Sequence, residues 1–157
     1  MKPKFTLSER ICSSLYFGIV ATLSLTIIIT ETNFLTAVFA GGLCGGFFIP
    51  AFIMNPTEFG IKRALGAGAL TTLVSALITA LLIDIFYDNN LEFPDTVNYD
   101  LVGLMERAQR SLAFMGFAAT FAVPYSLIGA PAALVLSHLL VKHRTKIAPE
   151  IEPDVFD

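Results

Sequence analysis

Four long stretches of this chain carry no charge, or almost none, and that restricts its folding more than any other feature. Ile11 to Ile29 is nineteen residues without a charged side chain. At about 1.5 Å of rise per residue, a helix of that length crosses roughly 30 Å of hydrocarbon. Phe34 to Met54 is the second stretch, closed by Asn55-Pro56. Ala64 to about Phe86 is the third, lying between Lys62-Arg63 and Tyr87-Asp88-Asn89-Asn90. The fourth, Leu112 to Val141, is thirty residues long and ends at Lys142-His143-Arg144. Only 15% of the 157 residues are charged and 55% are hydrophobic, too little charge to cover a soluble domain of this size. In lipid every backbone polar group must be satisfied within the chain, so apolar runs of this length become helices. The expected fold is an all-α membrane protein. It is a single four-transmembrane-helix bundle over residues 1–147, with spans at about 11–29, 34–54, 64–86 and 112–141. A disordered acidic tail, 148–157, follows it, with two prolines and four acids.

The N-terminal stretch also resembles the start of a signal peptide, since Lys2, Lys4 and Arg10 precede it. Its apolar run exceeds the usual length, and Thr30-Glu31-Thr32-Asn33 offers no small-residue cleavage site, so it reads as a retained first span. Orientation follows from the basic residues. Eight of the ten lie at the N-terminus, in the Asn55–Arg63 loop or just after the fourth span, and an even number of crossings puts all three places on one side. The segment Asp84 to Asp100 carries five acids and no base. Both termini are therefore expected in the cytoplasm, with a bacterial inner (plasma) membrane as the compartment.

The connection 88–111 is the only sizeable expected outer loop. Asn89, Asn90 and Pro94 mark its first half as irregular. In its second half Leu101, Leu104, Met105, Ala108 and Leu112 recur at helical intervals, with Asp100 at the cap position. This predicts a short interfacial amphipathic helix before the last span, with Glu106, Arg107 and Arg110 facing away from the bundle. The last span is itself too long for one untilted crossing. Either it is a single kinked helix or it re-enters at Pro124 or Gly129-Ala130-Pro131; re-entry would carry Lys142, Arg144 and Lys146 to the outer side, so the kinked helix is preferred.

Gly41-Gly42-Leu43-Cys44-Gly45-Gly46 is the most distinctive local motif. Gly41 with Gly45, and Gly42 with Gly46, are overlapping small-xxx-small pairs that let another backbone come close. Gly66 and Gly68, with Ala69, Thr72, Ser75, Ala76 and Thr79, give the third span a similar surface, so spans two and three are expected to pack closely through them. A phosphate loop is excluded, because no Lys-Ser/Thr follows the glycines and apolar residues flank them. Pro124 and Pro131 lie seven residues apart, on nearly one face. Each frees a carbonyl about one turn earlier, near Thr120 and Leu127. Thr120, Pro124, Gly129 and Pro131 therefore mark a hinge or cavity, the best place in the chain to look for a site.

No charged residue is expected near the midplane. Asp84 and His138 fall at opposite ends of their spans, where each reads as interfacial. Cys12 and Cys44 belong to no CxxC pair and are separated by about half a membrane, beyond disulfide reach. With no Trp, the interface anchors must be Tyr16, Phe34, Tyr87, Tyr99 and the basic residues. Nothing suggests a catalytic constellation, a metal, a cofactor or nucleic-acid binding. The function expected first is non-catalytic: an accessory, assembly or binding subunit acting through helix contacts in the bilayer, with a membrane-protein partner or a homo-oligomer. The runner-up is a small oligomeric transporter or channel with its path near the proline break. The third reading is a protective protein that binds a membrane-active protein through the acidic loop.

Overall fold

The computed structural model describes residues 4–26, 29–90 and 101–147. Among these residues lie four helices and no strand: α1 (Leu7–Thr26), α2 (Thr32–Ile53), α3 (Ile61–Asn90) and α4 (Leu101–Ile147). Three of the helices contain stretches long and apolar enough to cross a membrane, at Thr32–Ile53, Ile61–Asp84 and Ala108–Lys146. The described part of α1 is not among them. Glu9, Arg10 and four serines dilute it, and Ile27-Ile28, which complete its apolar run, lie outside the described residues. An all-helical chain with three such helices is compatible with an integral membrane protein.

Local chemistry sets the helix ends. Thr6-Leu7-Ser8-Glu9 opens α1 as a capping box: Glu9 N–H donates to Thr6 Oγ1 at 3.3 Å, and Thr6 N–H donates to Glu9 Oε2 at 2.7 Å. α2 runs through Pro50 and closes when Met54 N–H donates to the Pro50 carbonyl at 2.9 Å. Asn55 Oδ1 then accepts from Thr57 N–H at 3.2 Å, which turns the chain toward α3. α3 begins before the expected Ala64 and continues through Tyr87–Asn90, where the sequence predicted an end. Asp and Asn are weak helix formers, but they do not break a helix as proline does, and the first proline beyond is Pro94.

The largest departure is α4. The expected interfacial helix and the last span form one helix of 47 residues, roughly 70 Å long. Residues 104–115 contain no Gly or Pro to turn the chain between them. The helix also passes through Pro124 and Pro131, so the re-entrant alternative does not occur. The predicted loop 91–100 with its Asp100 cap, and the predicted disordered tail 148–157, lie outside the described residues.

α1 packs broadly on α2, α2 on α3 and α3 on α4, while α1 and α4 meet more narrowly. The interior is made of small and hydroxylated side chains. Among the described residues seven of the thirteen buried hydrophobic ones are Ala, beside buried Ser13, Ser14, Thr71, Ser75, Thr79 and Ser137. Twenty-two large hydrophobic residues among those described point outward, including Leu127 at 77% and Phe52 at 79% exposure. A water-soluble protein has the reverse arrangement. Lipid favours this one, because burying a large apolar side chain gains little there while close helix contact gains dispersion.

Candidate functional site

The two glycine rows of α2 face two different neighbours. A Cβ on Gly41 would overlap Thr79 Oγ1, and one on Gly45 would overlap Ser75 Oγ and lie 3.0 Å from the Thr71 carbonyl, so this row seats α3. A Cβ on Gly42 would stand 2.8 Å from Gly18 Cα, and one on Gly46 would stand 2.8 Å from Phe17 Cβ, so this row seats α1. Consecutive residues are about 100° apart on a helix, which is why adjacent rows serve adjacent seams. Hydroxyls lock both seams. Ser13 Oγ donates to the Gly46 carbonyl at 2.8 Å and Ser14 Oγ to the Leu43 carbonyl at 2.7 Å, while Thr79 Oγ1 reaches the Ala37 carbonyl at 3.4 Å. Expecting both rows to meet the third span misses the α1 seam. Gly18, which receives Phe39 and Leu43, stands four residues from Ser14 and from Thr22, a small-residue row that could have marked it.

Gly66 and Gly68 part company. Two residues apart, they point to nearly opposite sides of the helix. Gly68 lies against Gly129 and Ala130 of α4, whereas Gly66 has nothing within 4 Å and faces outward. The expectation that Gly66 packs against another span is corrected accordingly.

The expected hinge residues divide in the same way. Gly129 is buried, and a Cβ there would overlap Thr72 Oγ1 and lie 3.0 Å from the Gly68 carbonyl. Thr120, Pro124 and Pro131 are exposed on the outward side of a continuous helix. Thr120 Oγ1 donates to the Gly116 carbonyl at 2.9 Å and Ser126 Oγ to the Val123 carbonyl at 2.6 Å. Neither hydroxyl turns to the carbonyls that the prolines free. Gly129 thus faces α3, and the other three face outward.

Charged clasps lie at the two ends of the bundle. At the end holding the N-terminus, Glu9 is buried and accepts from Arg144 Nε and NH2, both at 2.7 Å. Arg144 NH2 also donates to the Lys4 carbonyl at 2.9 Å. The Arg144 hydrogen bonds, with those from Thr6, hold the Glu9 carboxyl at a pKa of about 2 against the opposing cost of burial. Tyr16, predicted as an interface anchor, instead donates its hydroxyl to the Ala132 carbonyl at 3.0 Å, so α1 and α4 are joined at two levels. At the other end buried Asp84 accepts from Arg110 Nε at 2.9 Å and from Ser111 Oγ. Arg110 was expected to face away; it turns to α3, where buried Asp84 stands opposite. Sequence reasoning missed the Glu9–Arg144 clasp, although Thr6-x-x-Glu9 carried the signal for its first half.

The N-terminal half of α4 is largely open. Among its described side chains from Gly103 to Phe121, none is buried. Leu112, Phe117 and Phe121 are at least half exposed, the last two with ring centroids 4.6 Å apart, and Gly116 has nothing within 4 Å. Cys12 and Cys44 are free thiols, both exposed. Among the described residues no three His, Cys, Asp or Glu side chains are grouped to hold a metal.

Compared with known proteins, the chain matches no family model, no curated protein and no solved structure.

Proposed function

We propose that this chain is a non-catalytic integral membrane protein of four crossings that works as an accessory, assembly or binding subunit through helix contacts in the bilayer. Both termini lie in the cytoplasm of a bacterium, and the membrane is the inner one. The placement of Lys and Arg supports that orientation. The single observation that carries the functional reading is the N-terminal half of α4. Here Gly116, Phe117, Thr120 and Phe121 face outward together, with none of them buried by the chain itself. A small residue on an outward face allows a second helix to approach, and adjacent phenylalanines supply area for it. Close backbone contact between Gly42 and Gly18, and between Gly68 and Gly129, leaves little room for a solute path between those helices.

The test is purification in mild detergent with the captured proteins identified by mass spectrometry. A larger membrane protein, or a second copy of this chain, should co-purify at fixed stoichiometry, and Gly116→Leu should release it while the chain's own elution stays unchanged. Solitary migration of the wild type overturns the reading, and so does solute flux by the chain alone in liposomes. Labelling of single cysteines placed at residues 3 and 147 tests the crossings; reagents reaching them from opposite sides would sink the even count.

A further inference from the structure

The cations at the end of the bundle where Glu9 meets Arg144 are not equivalent. Arg144 is withdrawn into its clasp, and Arg10 lies over the Phe47 ring at 6.0 Å. Lys62 and Arg63, in the first turn of α3, are both exposed, and no acid shares that turn. The acid facing them is Glu58, 3.9 Å from Arg63 and itself 73% exposed. At about 100° per residue, Lys62, Gly66, Ala69 and Leu73 share one outward strip of α3, with Leu65 and Leu70 on either side. Gly66 has nothing within 4 Å, and Ala69 is exposed. The strip is therefore a shallow apolar trough, walled by two leucines at 38% and 39% exposure, that opens beneath a pair of cations.

We propose that this trough holds an anionic phospholipid, with the headgroup phosphate on Lys62 and Arg63 and an acyl chain lying along Gly66 and Ala69. Charge complementarity selects the anionic headgroup over a zwitterionic one, because a net negative charge next to two exposed cations gains what a neutral headgroup does not. The missing side chain at Gly66 selects a flexible chain, because a methylene chain can lie in the shallow hollow between the two outward leucines. The assignment also accounts for a glycine that serves no helix seam. It needs the membrane reading given above but not the partner, so the two can fail separately.

The experiment is native mass spectrometry of the full chain in mild detergent, titrated with phosphatidylglycerol or phosphatidylcholine, with lipid adducts counted at each concentration. Phosphatidylglycerol should be retained preferentially. The preference should fall about fivefold for each cation neutralised in Lys62→Gln and Arg63→Gln, and it should weaken as ionic strength rises. Gly66→Leu should abolish the preferred adduct without lowering the thermal midpoint, since a Cβ there meets nothing within 4 Å. Equal retention of the two lipids by the wild type overturns the proposal. Unchanged phosphatidylglycerol binding in both the Lys62→Gln/Arg63→Gln chain and the Gly66→Leu chain overturns it as well. Loss of binding in Lys142→Gln/Lys146→Gln alone would move the anion to α4 and equally refute the site.

Discussion

α2 and α4 both contain glycine and proline, yet they use these residues in opposite ways. In α2 the four glycines of the central motif and Pro50 are all buried, and each glycine is held against a named backbone or side chain of α1 or α3. In α4 Gly129 is used so, while Gly116, Thr120, Pro124 and Pro131 all face outward. A small residue thus says that something can come close, and only the seam it lies on says whether anything does. α2 is the central plank of the fold, flanked on both sides. α4 is anchored along its C-terminal half and leaves its N-terminal half largely open.

The sharpest way to break this comparison is to fill one seam of α2. In Gly42→Leu the new Cβ would meet Gly18 Cα at 2.8 Å and the Phe17 carbonyl at 2.9 Å, and backbone cannot rotate out of the way. Overpacking of this kind costs about 3 kcal/mol or more, because α1 must be pushed off α2. Fluorescence-detected size exclusion in mild detergent should show loss of the monodisperse peak. An unchanged peak and thermal midpoint would mean that the α1–α2 contact is not as close as described.

The next contrast lies within α4. Gly129→Leu forces a side chain into Thr72 Oγ1 and the Gly68 carbonyl, and should destabilise by roughly 2–3 kcal/mol, less than Gly42→Leu because Thr72 can change rotamer. Pro124→Ala, on the exposed side of the same helix, should be neutral or stabilising, since it restores a backbone donor within a helix that is already continuous. Thermal denaturation of the two variants side by side checks this. If Pro124→Ala were the damaging one, the proline would hold a bend that the fold needs.

The broad architecture was legible in the sequence, and the pairing of its surfaces was not. Apolar run length decides that a segment is helical, and Asn55-Pro56 decides where α2 stops. Gly41, Gly42, Gly45 and Gly46 announced close packing, but a motif in one helix does not name its partners, so the row that seats α1 was missed. Gly66 and Gly68 looked alike as residue types, and only their angular separation distinguishes an outward position from a seam. Residues 101–111 read as a separate surface helix because their charges contrast with the apolar run that follows. Charge alone does not end a helix, and nothing there breaks one. Glu9 lies two residues before the apolar stretch, and its partner is 135 residues away, at a distance no local pattern can bridge.

The two clasps offer a finer test of how α4 is anchored. Glu9→Gln removes the charge that Arg144 binds, and should cost roughly 2 kcal/mol, between the values of exposed and fully buried ion pairs. Its pH dependence has a definite sign. The Glu9 pKa is lowered from 4.5 to about 2 in the fold, so the contribution is complete above pH 4.5 and is lost as pH falls toward 2. The wild type should therefore lose stability across that window, and Glu9→Gln should lose less over the same range. Parallel acid profiles for the two proteins would show that the carboxylate contributes nothing to holding α4 against α1.

The smallest expected effect concerns the α2–α3 seam, where the hydroxyls are not equally used. Ser13 and Ser14 each donate to an α2 carbonyl across the α1 seam, but Thr71 Oγ1, on a residue 1% exposed, is buried with no hydrogen-bond partner. An unpartnered buried hydroxyl costs free energy that a methyl group of nearly the same shape does not. Thr71→Val keeps the volume beside Gly45 and removes the polar atom, so the seam should gain up to about 1 kcal/mol. Ser13→Ala, which breaks a made bond and leaves the Gly46 carbonyl with one acceptor contact fewer, should lose a similar amount. The opposite signs are the point of the pair. If both variants destabilise, Thr71 has a partner such as a bound water, and the α2–α3 seam is wetter than the α1–α2 seam; if neither moves the thermal midpoint, it is the glycines rather than the hydroxyls that decide how closely α2 is held on its two sides.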